Sequence, residues 1–266
     1  MNNNPIGIFD SGFGGLTVMS AVHKMFPCEN LIYFGDSAHV PYGSKSPETV
    51  IRFSKDIAAF LASKKIKMLV IACNTATAHA LPTIKKMLKI PVIGVIEPGS
   101  KAAIAATIAN KIGVIGTQGT IDSNSYKKSI NKISKSALVY QQACPLFVPI
   151  VEEGWTNTRI ALETADIYLK PLINKKIDSL LLGCTHYPLL RKVLEKVIGK
   201  NIKIVDSANA VSCEIKRVLN EKNLFSNKKR AAILTFYTSD NPKKFQKLGG
   251  VFFGQKIPKP QKITLE

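Results

Sequence analysis

Two cysteines, Cys73 and Cys184, stand far apart in the chain but in similar settings. Each closes an apolar run, Met68-Leu-Val-Ile-Ala-Cys73 and Ser179-Leu-Leu-Leu-Gly-Cys184, and polar residues follow, Asn74-Thr75 and Thr185-His186. The carboxyl end of a strand is where open α/β sheets bind their ligands. A helix that starts there aims backbone N–H groups at the ligand, which suits a carboxylate and also stabilises a thiolate. A lone buried cysteine is ordinarily a small hydrophobe. A repeated pair of Cys-polar-polar turns points to chemistry instead. Two thiols opposed across a cleft fit the inversion of a carbon stereocentre. One takes a proton from one face, the other supplies a proton to the opposite face, and the roles exchange for the reverse reaction. A free thiol titrates near pH ~8.5, so poising it for neutral pH takes roughly 2 kcal/mol of differential stabilisation. His186, two residues from Cys184, and Asp10, at the end of the first strand, are candidate proton partners. Cys28, Cys144 and Cys213 lack this setting and read as structural.

Other polar turns could serve the same site. Asp10-Ser-Gly-Phe-Gly-Gly15-Leu-Thr17 fails the dinucleotide pattern G-x-G-x-x-G, because Thr17 stands where the last glycine belongs. It reads as a backbone cradle for an anion with the Ser11 hydroxyl beside it, although Asp10 could instead cap the Gly12–Gly15 turn. Pro41-Tyr42-Gly43-Ser44-Lys45 is a second loop rich in donors. A zinc site from Cys73, Cys184, His186 and Asp10 lacks any close-spaced ligand pair such as C-x₂-C, so no metal is expected.

Short β-branched runs that alternate with amphipathic stretches must position these turns. Strands are predicted over Ile6–Phe9, Leu31–Phe34, Met68–Ala72, Val92–Ile96, Ile112–Ile115, Leu180–Leu182, Ile202–Val205 and Ala232–Phe236. They are apolar throughout, as parallel strands covered on both faces should be. The clearest helix runs from Ser46 to Lys64, with Ser46 as N-cap, Pro47 in the first position, and Val50, Ser54, Ile57 and Leu61 along one face. Such βαβ alternation implies an α/β fold. The motif at Ile6-Gly-Ile-Phe-Asp10 returns at Ile112-Gly-Val-Ile-Gly116, and the Cys73 turn returns at Cys184, at intervals of 106 and 111 residues. That coincidence predicts two similar lobes, each a parallel-rich sheet flanked by helices, with the active site in the cleft between them. The expected first lobe comprises residues 1–97 plus 208–266 and the second residues 98–207, with seams near Glu97-Pro98-Gly99 and Asp206-Ser207.

Composition limits the alternatives. The chain has 266 residues, 45% apolar and 21% charged, which is enough to bury a core. No run approaches the ~18 apolar residues of a membrane helix, and the start Met-Asn-Asn-Asn-Pro carries no export signal. An odd set of five cysteines is no secreted disulfide framework, so a reducing cytoplasm is the expected compartment. The net charge of +19 invites a nucleic-acid reading. Against it, only Arg52, Arg159, Arg191, Arg217 and Arg230 offer guanidinium forks, and the lysines are scattered rather than gathered in one arm. A positive field would also draw in a small anionic substrate.

Taken together, the motifs resemble the cofactor-independent glutamate racemases of the two-cysteine aspartate/glutamate racemase superfamily. The matching stretches are Gly7-Ile-Phe-Asp-Ser-Gly-Phe-Gly-Gly-Leu-Thr-Val18, Tyr33-Phe-Gly-Asp-Ser37, Val40-Pro-Tyr-Gly-Ser-Lys45 and Ala72-Cys-Asn-Thr-Ala-Thr77. They continue through Pro91-Val-Ile-Gly-Val-Ile-Glu-Pro98, Leu182-Gly-Cys-Thr-His-Tyr-Pro188 and Val205-Asp-Ser-Ala208, in the family's order along nearly the whole chain. The resemblance implies interconversion of L- and D-glutamate for peptidoglycan synthesis, with no cofactor. Cys73 would act on the proton of the D-substrate and Cys184 on that of the L-substrate. It also implies that Asp10, Ser11, Tyr42, Gly43, Asn74, Thr75, Thr185 and His186 hold the substrate. Thr117 resembles a further ligand, and Glu152, in Val151-Glu-Glu-Gly154, an acid near the second thiol. A homodimer is implied; the composition leads to no membrane partner and makes nucleic acid an unfavoured one. Two positions depart from the pattern, Phe13 for a smaller apolar residue and Gly119 for alanine, and Phe13 could reshape the pocket.

Overall fold

The computed structural model describes residues 2–227 and 230–265. Among the described residues, ten strands form two sheets. The first holds β1 (Ile6–Asp10), β2 (Leu31–Gly35), β3 (Met68–Ile71) and β4 (Val92–Gly94), and the second β5 (Lys111–Gly116), β6 (Leu138–Ala143), β7 (Ser179–Gly183) and β8 (Lys203–Asp206). The chain then returns to the first sheet with β9 (Leu234–Thr238) and β10 (Gln261–Lys262). The strand orders are β10-β9-β2-β1-β3-β4 and β6-β5-β7-β8, and every pairing is parallel. The order 2-1-3-4 of the first sheet therefore repeats as 6-5-7-8 in the second. The motifs that repeat in sequence fall on equivalent strands, β1 with β5 and β3 with β7.

Helices cross between the strands, as parallel pairing requires. They are α1 (Leu16–Met25), α2 (Pro47–Ser63), α3 (Asn74–Met87), α4 (Ile96–Ala106), α5 (Gln118–Asp122) and α6 (Ser125–Ile133). Then come α7 (Phe147–Glu152), α8 (Arg159–Asn174), α9 (Arg191–Ile198), α10 (Ser207–Glu221) and α11 (Pro242–Phe253). Helix α2 begins as its sequence requires. The Ser46 hydroxyl accepts from the Thr49 N–H at 3.3 Å, Pro47 opens the first turn, and Val50, Ile57 and Leu61 are buried. β1, β2, β3 and β7 are buried at every residue, because helices cover both faces.

Three departures from the predicted elements have local causes. The apolar run from Val92 stops as strand at Gly94, and Ile96 already belongs to α4. An apolar stretch does not by itself distinguish a buried strand from a buried helix start. Glu97, Pro98 and Gly99 lie in the first turns of α4, so the chain leaves the first sheet through a helix rather than an extended linker. β6 lacks the apolar signature of the other strands because it is an edge strand, nowhere fully buried, that carries Gln141 and Gln142 among its apolar residues. Helix α10 packs against both α1 and α4, joining the layers of the two sheets. No helix among the described residues is long and apolar enough to cross a membrane.

Candidate active site

The carboxyl ends of β1, β3, β5 and β7 converge on one small cavity. Both Cys73 and Cys184 line it, together with Ser11, Val40, Pro41, Tyr42, Gly43, Asn74, Thr75, Thr117, Val148, Gly183, Thr185 and His186. The two sulfurs thus border a single void, although their strands belong to different sheets. Among the described residues, no group of three or more His, Cys, Asp or Glu side chains is arranged to hold a metal ion.

The surroundings of the two thiols differ. Cys73 caps α3: its sulfur accepts from the Ala76 N–H at 3.4 Å and donates to the Ser11 hydroxyl at 3.7 Å. Burial pushes the Cys73 thiol up to about 12 and the Asp10 carboxyl adds to this, while the Ala76 N–H and Ser11 hydroxyl oppose it. Cys184 leads into a short 3₁₀ turn, Tyr187–Leu190, rather than a full helix. Its sulfur instead lies 3.9 Å from His186 Nδ1, and His186 Nε2 lies 3.1 Å from Glu152 Oε1. Burial disfavours a charged imidazole, but the bonds to Cys184 and Glu152 and the nearby Asp10 outweigh it and raise His186 to about 10. A positive charge therefore stands beside the Cys184 sulfur, the sign that a basic sulfur needs. The pairing is possible because Gly14 has no side chain: a Cβ there would lie 2.6 Å from His186 Nδ1.

Asp10 and Glu152 do not line the cavity. Asp10 is fully buried behind it. Its carboxylate accepts from the Gly12 N–H at 3.1 Å, from the Gly15 N–H, and from the Thr185 hydroxyl at 3.4 Å. The Gly12 and Gly15 amides are thus engaged by Asp10, and of this turn only Ser11 lines the void. Burial raises the Asp10 carboxyl, and the positive His186 is the strongest opposing influence. Phe13 also stays outside the cavity and packs on Phe245, ring centroids 5.3 Å apart, so it does not reshape the wall. Gly119 touches the site's rim: a Cβ there would lie 3.2 Å from the Gly43 carbonyl oxygen.

The halves of the cavity are stitched by hydroxyls. Thr75 Oγ1 lies 2.9 Å from Thr117 Oγ1 and 3.1 Å from Thr120 Oγ1, and Thr117 and Thr120 are 3.0 Å apart. The triangle ties α3 of the first sheet to α5 of the second. Gly43 approaches so closely that a Cβ on it would collide with the Thr117 side chain. Tyr42 donates to Asp36 Oδ2 at 2.6 Å, and Asp36 is held in turn by His39 and Ser239. Sequence reasoning gave no role to Asp36, Thr120 or Tyr126. Thr120, one turn after the N-cap Thr117, carried a local signal; Tyr126, in Asn124-Ser-Tyr-Lys, carried none.

These buried acids make the fold sensitive to alkali. Burial raises the Cys73, Cys144, Tyr33, Tyr42, Tyr126 and Tyr187 groups above their ordinary values. The folded chain keeps their protons at pH values where the unfolded chain has lost them, so stability falls as pH rises past about 9. His186 acts in the same direction: its contribution is complete below about 6.5 and is lost as pH rises through about 10. Thermal unfolding followed by circular dichroism should give a melting temperature at pH 10 about 5–10 °C below that at pH 7. A flat profile over this range would contradict the burial of these groups as protonated acids.

The family model described as Asp/Glu/Hydantoin racemase matches residues 7–212. A glutamate racemase of Geobacter metallireducens is 48% identical over 261 residues, which cover 98% of this chain and 97% of the relative. Among solved structures, a glutamate racemase isoform of Bacillus anthracis superposes with a TM-score of 0.94 at 36% identity, covering 100% of this chain and 98% of the other. The glutamate racemase of Francisella tularensis in complex with D-glutamate also gives 0.94 at 36% identity, covering 100% and 99%.

Proposed function

The chain belongs to the Asp/Glu/hydantoin racemase family, and from that premise we propose that it interconverts L- and D-glutamate by two-base proton transfer between Cys73 and Cys184. The observation that carries this reading is the single cavity bordered by both thiols. The α-proton of an amino acid is poorly acidic, so the site must stabilise the developing carbanion while water is kept out. Residues of both sheets close around the void, and the N-terminus of α3 offers its first amides to a carboxylate.

The unequal surroundings of the thiols support the following roles in the L-to-D direction. Cys73, held up by burial, rests as the thiol and is the acid. Cys184, beside the imidazolium of His186, is the base. That state is ready to take the proton of the L-enantiomer at Cys184 and to deliver one from Cys73 to the opposite face. The product leaves the charge on the Cys73 side, where the Ala76 N–H and Ser11 hydroxyl meet it. His186, hydrogen-bonded to Glu152, holds charge for the Cys184 step. Asp10 acts from behind the cavity, through Thr185 and the glycine turn, rather than on the substrate. We further infer the lobe division at residues 1–97 plus 208–266 against 98–207, supported by the strand order of the two sheets. A homodimer in the cytoplasm, supplying D-glutamate for peptidoglycan, follows from the family resemblance.

The test is a circular-dichroism assay on purified protein with L- or D-glutamate and no added cofactor, with aspartate as control. Both enantiomers of glutamate should decay to zero ellipticity, and aspartate should turn over far more slowly. Inactivity on glutamate would refute the proposal, and a preference for aspartate would shift it within the family.

A further inference from the structure

The buried Tyr126 of α6 makes a contact that the mechanism above does not use. Its hydroxyl donates to Asn74 Oδ1 at 2.6 Å, across from the second sheet's layer to the residue that follows Cys73. Asn74 lines the cavity, and its Nδ2 is buried with no partner among the described residues. The Tyr126 ring lies against the backbone that precedes Cys184: a Cβ on Gly183 would lie 3.0 Å from Tyr126 Cε2. One side chain therefore touches the neighbours of both thiols.

An asparagine amide presents a donor at one end and an acceptor at the other, in nearly the same shape. With Oδ1 engaged by the tyrosine hydroxyl, only the NH₂ end is left for the cavity, and it can meet only an acceptor. A buried donor left unpaired is costly, so its partner is expected to come from the ligand. We propose that Tyr126 is a positioning residue, which locks the Asn74 amide so that its NH₂ binds a substrate carboxylate oxygen. Because α6 belongs to the second sheet's layer and α3 to the first, the lock forms only when the two layers meet.

The inference rests on the glutamate reading, and the test separates the two. Wild type must first racemise glutamate; if it does not, that reading fails. Tyr126→Phe keeps the ring on Gly183 and removes only the hydroxyl. KM for both enantiomers should then rise about tenfold with kcat within twofold, as expected when binding common to ground and transition states is lost. In an Asn74→Ala background the same substitution should change KM less than twofold, because there is no amide left to orient. A racemising wild type with a Tyr126→Phe KM raised less than threefold would overturn the role, as would an equal loss in both backgrounds or a loss confined to kcat. Should Tyr126→Phe not fold, Asn74→Asp decides. It keeps an acceptor for Tyr126 but turns an oxygen toward the cavity, so KM should rise at least tenfold, and a KM raised less than that would overturn the inference.

Discussion

Cys73→Ala and Cys184→Ala should each lower glutamate racemisation by at least about 10³-fold, within the range by which a positioned acid or base accelerates proton transfer. Each enantiomer presents its α-hydrogen to one wall of the cavity, so the remaining thiol cannot serve both faces. The double variant should be little worse than either single one, since the two groups act as a unit. Folding is not at issue. Neither change removes a large side chain, and the chief structural loss is the acceptor that Cys73 offers to the Ala76 N–H, a capping contact worth about 0.5–2 kcal/mol. Far-ultraviolet circular dichroism should match the parent. Wild-type rates in either variant would remove the two-base assignment.

His186→Asn should lower kcat/KM by about 10²-fold. Because L- and D-glutamate are mirror images, their equilibrium constant is one, and kcat/KM must fall equally in both directions. The asymmetry of the site appears instead in the primary isotope effects. His186 adjoins Cys184 and not Cys73, so its loss raises the barrier for proton transfer on the L-face. With α-deuterated L-glutamate the slowed step breaks the labelled bond, and the isotope effect should grow. With α-deuterated D-glutamate the labelled bond breaks in the faster step, and the effect should shrink toward one. Equal changes for both substrates would mean that His186 supports the whole site rather than one thiol.

Much of this architecture is legible in the chain because parallel strands buried on both faces write themselves as unbroken apolar runs. β1, β3 and β7 are of this kind, and polar residues or a thiol close or soon follow each run, at Asp10-Ser11, Cys73-Asn74 and Cys184-Thr185. Repetition did the rest, since it placed Cys73 and Cys184 on equivalent strands. β6 was not legible, because an edge strand with glutamines lacks that signature. The role of Asp10 was only half legible. Its sequence allows either a ligand contact or a cap on the glycine turn, and only packing shows it buried with the Gly12 N–H on its carboxylate. Contacts such as Tyr126 with Asn74, 52 positions apart, depend on how two sheets meet and leave no local trace. The unequal settings of the thiols were hidden for the same reason, since the two turns look alike as strings.

In the proposed reaction, two sulfurs on opposite faces of one substrate exchange protons directly with its α-carbon. L-Glutamate turned over in heavy water, stopped at low conversion and read by proton NMR or mass spectrometry, tests this most directly. The expected product is D-glutamate with one α-deuterium, donated by the solvent-exchanged Cys73 thiol, alongside remaining L-glutamate that is still unlabelled. D-Glutamate that keeps its original proton, or deuterium entering both enantiomers equally from the start, would contradict it.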